Sequence, residues 1–173
     1  MAEESRLSGA QAPDSSLLRA SGPGGDGGAK APYRSDGPDG AGEEPSLEGL
    51  RILVVEDEFL LALEVEAVLI GFGCAVIGPF AKLAKALGAA RSTPVDGAVL
   101  DINLNGEMVF PLAEFLDSQG VPFVFLTGYV TPSLPERFRG FRRLQKPLRA
   151  ETLRRVCLDM RLGGTGSGMR AFD

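Results

Sequence analysis

Five short apolar runs, spaced so that a helix can fit between them, constrain the fold of this chain more than any other feature. The runs occupy residues 52–55, 74–77, 97–100 and 121–126, with a shorter one around Leu144. Strands that are apolar on both faces and joined by helices are typical of a parallel sheet covered on both sides. The sequence therefore predicts an α/β protein of five βα units.

The segments between the runs carry apolar residues at helical spacing. Gly71, Gly73 and Gly120 lie where helices would end. The patterns predict helices over residues 59–69, 80–90, 108–118 and 148–162.

The segment after the fourth strand departs from this alternation. It contains Pro132 and Pro135 and ends at Gly140. Proline lacks a backbone donor and disfavours helix in its predecessor, so we expect little more than one helical turn, beginning at or after Pro135. We expect this segment to be loosely ordered in one state of the protein and ordered in another, in which it presents Phe138, Arg139 and the neighbouring Arg142, Arg143 and Arg154 to an acidic partner.

The first 48 residues differ in composition from the remainder of the chain. They are rich in Gly, Pro, Ser and Ala and carry nine acidic and four basic side chains, whereas residues 49–173 carry fourteen of each. Such a segment buries too little apolar surface to offset its conformational entropy. We expect a disordered acidic tail over 1–48, a folded domain over 49–162 and a flexible end over 163–173.

Several classes of function are excluded because the chain has no histidine. A Ser-His-Asp triad, a histidine metal site and an internal phosphohistidine relay all need that residue. Cys74 and Cys157 lack the CxxC spacing of zinc sites, and they suit a reducing cytoplasm. No run resembles a secretory signal or reaches about 18 apolar residues, so we expect a cytoplasmic protein without membrane contact.

Basic residues concentrate in the last quarter of the chain, where arginine occurs at 137, 139, 142, 143, 149, 154, 155, 161 and 170. A nucleic-acid interface would need a recognition helix or stacking aromatic side chains beside them, and the aromatic residues do not interleave with these arginines. The pattern therefore favours a solvated or partner-facing surface over DNA binding.

Chemically distinct side chains follow four of the predicted strands. Asp57, Asp101, Thr127 and Lys146 each come at or just after a strand end, and Glu56 precedes Asp57. In parallel sheets these ends meet at one edge, where ligands bind. Taken singly, each has another interpretation, such as a helix cap or a surface charge. Together, three carboxylates at one edge repel each other unless a cation is present, and Mg²⁺ prefers such oxygen ligands.

These residues, in this order, resemble the receiver domains of response regulators, which are CheY-like. The resemblance covers about residues 50–162 and rests on LVVEDE at 53–58, VLDINLNG at 99–106, FLTG at 125–128 and KP at 146–147. It implies a flavodoxin-like, doubly wound (βα)5 parallel sheet with strand order 2-1-3-4-5.

The family resemblance also implies the role of each residue. Asp101 would accept a phosphoryl group from a separate histidine kinase or histidine phosphotransfer protein. Mg²⁺ or Mn²⁺ would be held by Glu56, Asp57, Asp101 and the backbone carbonyl of Asn103. Thr127, Gly128 and Lys146 would bind the phosphoryl oxygens. No enzyme activity is implied beyond self-catalysed transfer and autodephosphorylation.

Two departures from the family pattern point to a subclass. Receivers usually carry Tyr or Phe three residues before the lysine that follows the fifth strand. In this chain that lysine is Lys146, and Arg143 occupies the aromatic position. The segment 122–129 resembles the FATGUY subclass, with Leu126 in place of Ala; that subclass lacks the aromatic residue and an output domain. The resemblance implies a stand-alone receiver without a DNA-binding domain, which contacts an unknown downstream protein. Asn103 and Tyr129 would flank the path of the hydrolytic water.

Two alternatives remain open. A haloacid-dehalogenase-like phosphatase also uses a strand-end Asp with Mg²⁺, but it needs a second Asp where this chain has Asn103. A receiver-like interaction module that has lost phosphorylation would fit the same fold, although the intact Asp101 and Lys146 disfavour it.

Overall fold

The computed structural model describes residues 45–128 and 133–163. The predicted tails therefore lie outside the described residues, except for 45–48 of the first and Gly163 of the second. Within those four residues, the side chain of Leu47 is buried in the core. Tyr129 also lies outside the described part. No helix in the described ranges is long and apolar enough to cross a membrane.

Five parallel strands form one sheet, and their order confirms the predicted 2-1-3-4-5 fold. Each apolar run of the sequence supplies one strand. The strands are β1 (Arg51–Val55), β2 (Ala75–Phe80), β3 (Gly97–Asp101), β4 (Phe123–Thr127) and β5 (Arg143–Gln145).

Three α-helices connect the first four strands, a fourth follows β5, and these helices of the described residues cover both faces of the sheet. They are α1 (Phe59–Gly71), α2 (Leu83–Ser92), α3 (Phe110–Ser118) and α4 (Ala150–Arg161). Alternate residues of the strands face opposite sides: Ile52 and Val54 pack with α1 and α4, whereas Leu53 and Val55 pack with α2 and α3. The two cores are therefore separated by the sheet, as a doubly wound fold requires.

The second strand is longer than predicted, and α2 begins at Leu83 rather than at residue 80. Phe80 pairs with Val55 after a register shift along β1. Gly78 makes this possible, with φ of +111° and so little room that an added Cβ would lie 2.7 Å from the Val54 carbonyl oxygen. The pairing holds Phe80 in the sheet, so the helix starts later.

A small hairpin after β3 is absent from the sequence prediction. Its strands are Asn103–Leu104 and Glu107–Met108. Asn105 has a positive φ of 54° and Gly106 one of 95°, the conformation that an Asn-Gly turn adopts readily. Because Met108 belongs to this hairpin, α3 begins at Phe110 instead of residue 108.

Helix in the segment before β5 is short, as the prolines predict: among its described residues, 133–142, there is one 3₁₀ helix, Glu136–Phe138. Phe138 is not presented to a partner in this structure. It is 1% exposed, because its ring joins a cluster of phenylalanines that lies against the sheet. Its neighbours in this aromatic cluster are Phe110, Phe123, Phe125 and Phe141.

Candidate functional site

Three carboxylates meet at the carboxyl edge of the sheet. Glu56 and Asp57 directly follow β1, and Asp101 ends β3, the strand beside it. One carboxylate oxygen from each residue lies within 4.8 Å of the others. Neighbouring parallel strands whose connections leave in opposite directions create this position, the topological switch point of the sheet.

Lys146 reaches into the carboxylate cluster from the end of β5. Its Nζ donates to Asp101 Oδ2 at 2.8 Å and to Glu56 Oε1 at 3.0 Å. The Lys146 backbone N–H donates to the Thr127 carbonyl oxygen, which fixes the lysine relative to β4. Burial opposes the charge of this lysine, but its bonds to Asp101 and Glu56 outweigh that effect and raise its pKa.

Glu56 is the most deeply buried member of the cluster, with 1% of its surface exposed. Burial raises the pKa of this carboxyl to about 7, and the charge of Asp101 acts in the same direction, while the hydrogen bonds from Lys146 and Glu58 oppose it. Its Oε2 lies 2.8 Å from Lys146 Nζ without hydrogen-bond geometry, so this buried oxygen has no donor.

Asp101 is 8% exposed and its two oxygens have different partners. Oδ2 accepts the short bond from Lys146, whereas Oδ1 accepts, among the described residues, a long bond of 3.4 Å from the Asn103 backbone N–H. The side chain of Asn103 is used within the hairpin, where its Oδ1 accepts from the Gly106 N–H at 2.7 Å. The less engaged oxygen of Asp101 is therefore Oδ1.

Thr127 ends β4 and Gly128 follows it on the exposed side. The Thr127 hydroxyl donates to the Leu144 carbonyl oxygen at 3.5 Å, the limit of a hydrogen bond. This weak bond ties the hydroxyl to β5. Its predicted neighbour Tyr129 lies outside the described residues.

The carboxylates fit a hard divalent cation. Magnesium takes oxygen ligands, and the cluster supplies carboxylate oxygens from Glu56, Asp57 and Asp101. One of these oxygens, the buried Glu56 Oε2, accepts no hydrogen bond from the described residues. The structure therefore brings together an acidic pocket consistent with a phosphoacceptor site.

One feature beside the site was missed by the sequence interpretation. Phe59, Leu60 and Leu63, at the start of α1, are 71%, 74% and 45% exposed. The signal was present, because α1 is apolar on nearly all sides, and a helix with that pattern cannot bury every apolar residue.

Comparison with known proteins places this fold and site in a class. No protein-family model and no curated protein matches the chain. Among solved structures it is similar to SdrG from Sphingomonas melonis Fr1, with 36% identity, a TM-score of 0.58, and coverage of 66% of this chain and 98% of SdrG. The BeF3-activated conformation of SdrG, from Pseudomonas melonis Fr1, gives 34% identity, a TM-score of 0.55, and coverage of 65% and 98%.

Two further structures carry the receiver description. A response regulator receiver protein from Sinorhizobium medicae WSM419 is 25% identical, with a TM-score of 0.54 and coverage of 66% of this chain and 96% of that protein. The receiver domain of sensor histidine kinase PA1611 from Pseudomonas aeruginosa PAO1, with magnesium in its active site cleft, shares the fold at 24% identity, a TM-score of 0.55, and coverage of 67% and 98%. The chain thus belongs to the response regulator receiver family of two-component signalling.

Proposed function

We propose that Asp101 accepts a phosphoryl group from a phosphohistidine on a histidine kinase or a histidine phosphotransfer protein. The observation that carries this proposal is the cluster in which Lys146 bridges Asp101 and Glu56. Asp101 Oδ1, which accepts the long bond from the Asn103 N–H, attacks phosphorus as the phosphorus–nitrogen bond breaks and the donor imidazole leaves. The transferred group then becomes an acyl phosphate on Asp101.

The residues around Asp101 divide the work of transfer. Mg²⁺ or Mn²⁺ would be held by Glu56, Asp57, Asp101 and the Asn103 carbonyl. The bound cation would neutralise negative charge on the phosphoryl group. Lys146 pairs with one phosphoryl oxygen, and the Thr127 hydroxyl and Gly128 N–H donate to the others. Thr127 is free to make this change because its present bond to Leu144 is weak. Asn103 and Tyr129 limit access of the hydrolytic water.

The surface beside the site suits a phosphodonor protein. The exposed side chains of Phe59, Leu60 and Leu63 lie at the start of α1, which directly follows Glu56 and Asp57. A cleft of about 250 Å³ links Leu60 to Lys146 and Pro147. An apolar helix face of the donor can dock against this surface while its phosphohistidine reaches Asp101.

The sequence also supports a receiver subclass and a way in which the protein passes on its signal. We assign it to the FATGUY receivers on segment 122–129 and on Arg143, which occupies the exposed position where other receivers have an aromatic residue. Its similarity to SdrG, a protein solved in a BeF3-activated conformation, supports a receiver that responds to phosphorylation. We propose that it acts as a cytoplasmic receiver, through contact with a downstream protein.

A small acyl phosphate with Mg²⁺, followed by intact mass measurement, tests the proposal. A phosphorylated receiver gains the mass of one acid-labile phosphoryl group. Continuous hydrolysis of the acyl phosphate without a mass gain would identify a phosphatase instead. If there is neither a mass gain nor hydrolysis, the chain is a receiver-like module that is not phosphorylated.

A further inference from the structure

The small hairpin between β3 and α3 is built on a tight turn that few residues form readily. Its strands, Asn103–Leu104 and Glu107–Met108, are separated by Asn105 and Gly106. These two residues have φ values of 54° and 95°. A two-residue loop with positive φ at both positions is a type I′ turn, for which Asn-Gly is the preferred sequence. The turn therefore fixes which residues of the hairpin face each other.

This pairing leaves the backbone of Asn103 outside the ladder of the hairpin. The Val109 N–H donates to the Ile102 carbonyl oxygen at 3.1 Å, so these two residues form a hydrogen-bonded pair. Such pairs alternate with pairs that exchange no backbone hydrogen bond, and the next pair along is Asn103 with Met108. The N–H and the carbonyl of Asn103 therefore point away from Met108.

The backbone of Asn103 points toward the carboxylate cluster instead. Its N–H donates to Asp101 Oδ1 at 3.4 Å. Within a strand, the N–H and the carbonyl of one residue lie on the same side, so the Asn103 carbonyl also lies on the side of Asp101. The hairpin thus holds an uncharged oxygen beside three carboxylates that fit a hard divalent cation.

Two further contacts hold the hairpin in this orientation. The Asn103 side chain accepts a hydrogen bond from the Gly106 N–H at 2.7 Å, which ties the first strand to the turn. Leu104 and Val109 are 3% and 0% exposed and belong to the core on the side of α2 and α3. A rotation of the hairpin about its connection to β3 would break this bond and expose apolar side chains.

We propose that this hairpin positions the Asn103 carbonyl as a cation ligand, and that Asn105 and Gly106 are positioning residues of the metal site. The inference rests on the proposed function, since it takes the carboxylate cluster to hold Mg²⁺. It goes further by assigning metal affinity to two exposed turn residues that contact neither the cation nor the phosphoryl group. Their part is to set the pairing, because a shift of one residue would turn the Asn103 carbonyl to the opposite side.

Titration of the ¹⁵N-labelled, unphosphorylated chain with Mg²⁺ measures metal affinity without phosphoryl transfer. Gly106→Ala strains the turn through its φ of +95° alone, because no atom of the described residues lies within 4 Å of the new Cβ. Asn105→Val places a β-branched residue at a φ of 54° and strains the same turn. We expect each variant to bind Mg²⁺ about tenfold more weakly than the wild-type protein.

Gly120→Ala is the matched control. Gly120 also has a positive φ, +70°, and open space around its Cβ, but it precedes β4 and so lies at the opposite edge of the sheet from the carboxylate cluster. We expect its Mg²⁺ affinity to stay within about twofold of the wild-type value. Equal affinities of Gly106→Ala and Gly120→Ala, beside a wild-type protein that binds Mg²⁺, would overturn the role of the hairpin alone. A wild-type protein that binds no Mg²⁺ would overturn the metal site as well.

Phosphorylation by a small acyl phosphate separates a positioning role from a general loss of structure. In Gly106→Ala and Asn105→Val, the Mg²⁺ concentration that gives half the maximal rate should rise about tenfold, while the rate at saturating Mg²⁺ stays close to that of the wild-type protein. Amide spectra establish that the variants are folded. A lower rate at saturating Mg²⁺, with an unchanged Mg²⁺ requirement, would refute the positioning role.

Discussion

Lys146 makes a cluster of buried carboxylates compatible with a folded domain. Its Nζ lies 2.8 Å from oxygens of both Asp101 and Glu56, and its side chain is only 18% exposed. One cation cannot compensate three carboxylates, and burial, with the charge of Asp101 acting in the same direction, raises the pKa of Glu56. The receiver site is therefore held at some cost to stability, which a second cation would relieve.

The raised pKa of Glu56 predicts a pH-dependent penalty in the metal-free protein. The pKa of this carboxyl is about 7 in the folded state, whereas its ordinary value in an unfolded chain is 4.5, so the folded state binds more protons between these pH values. Stability therefore falls as pH rises through this range. We expect Glu56→Gln to remove most of that decline. The free energy of unfolding of the variant, taken relative to the wild-type protein, should be about 1–3 kcal/mol higher at pH 8 than at pH 5.

Urea unfolding of both proteins at the two pH values, with a chelator present, measures this effect. Lys146 does not complicate the comparison, because its raised pKa lies above the range. A parallel pH dependence of Glu56→Gln and the wild-type protein would show that Glu56 carries no penalty.

Sequence position was enough to find most site residues but not their surroundings. Asp57, Asp101 and Lys146 follow predicted strands, and parallel strands bring their ends to one edge. Which acid is buried depends on side-chain packing that no spacing encodes: Glu56 is 1% exposed, whereas Asp57 is only partly buried. The second contact of Lys146, with Glu56, was hidden for the same reason.

Secondary-structure elements were predicted best where the hydrophobic pattern is strong. The strands and their order follow from apolar runs and from the resemblance to receivers, and the observed strand order agrees with both. The bounds of α2 and α3 were missed because Phe80 pairs across the sheet and Met108 joins a hairpin. The burial of Phe138 could not be predicted from sequence spacing, because it depends on contact with aromatic rings of distant elements.

Two glycines allow a matched test of the β2 geometry. Gly78→Ala should lower the free energy of unfolding by about 1–3 kcal/mol, because φ is +111° and the new Cβ would contact the Val54 carbonyl. Gly88→Ala should raise it by about 0.5–1 kcal/mol, because that glycine lies inside α2 with open space around it. Thermal or urea unfolding measures both. Similar effects of the two variants would contradict the described β2 pairing.

The aromatic cluster predicts that Phe138 anchors the segment before β5. Phe138→Ala removes a fully buried ring that packs with Phe123, Phe125 and Phe141, and we expect a loss of about 3–5 kcal/mol. Phe59→Ala is the control, since its ring is 71% exposed and the change should stay within about 0.5 kcal/mol. A Phe138→Ala protein as stable as this control would show that the ring is not buried in solution.

At the level of the whole molecule, cation binding should stabilise the folded domain. The cluster of Glu56, Asp57 and Asp101 exists only when β1 and β3 are paired, so a cation held there would favour the folded state. Each kcal/mol of binding stabilisation raises Tm by about 4 °C or more for a domain of this size. We expect Tm to rise with millimolar Mg²⁺, and to rise less in Asp57→Asn. A Tm insensitive to Mg²⁺ would argue against the metal site.

The acceptor role of Asp101 is the central claim, and one comparison of variants tests it most directly. Wild-type protein, Asp57→Asn and Asp101→Asn are incubated with a small acyl phosphate and Mg²⁺, and phosphoryl incorporation is followed by intact mass. The wild-type protein should gain one acid-labile phosphoryl group, Asp57→Asn should gain it more slowly because metal binding is weakened, and Asp101→Asn should gain none. An acid-labile phosphoryl group on Asp101→Asn at the wild-type rate would contradict the assignment.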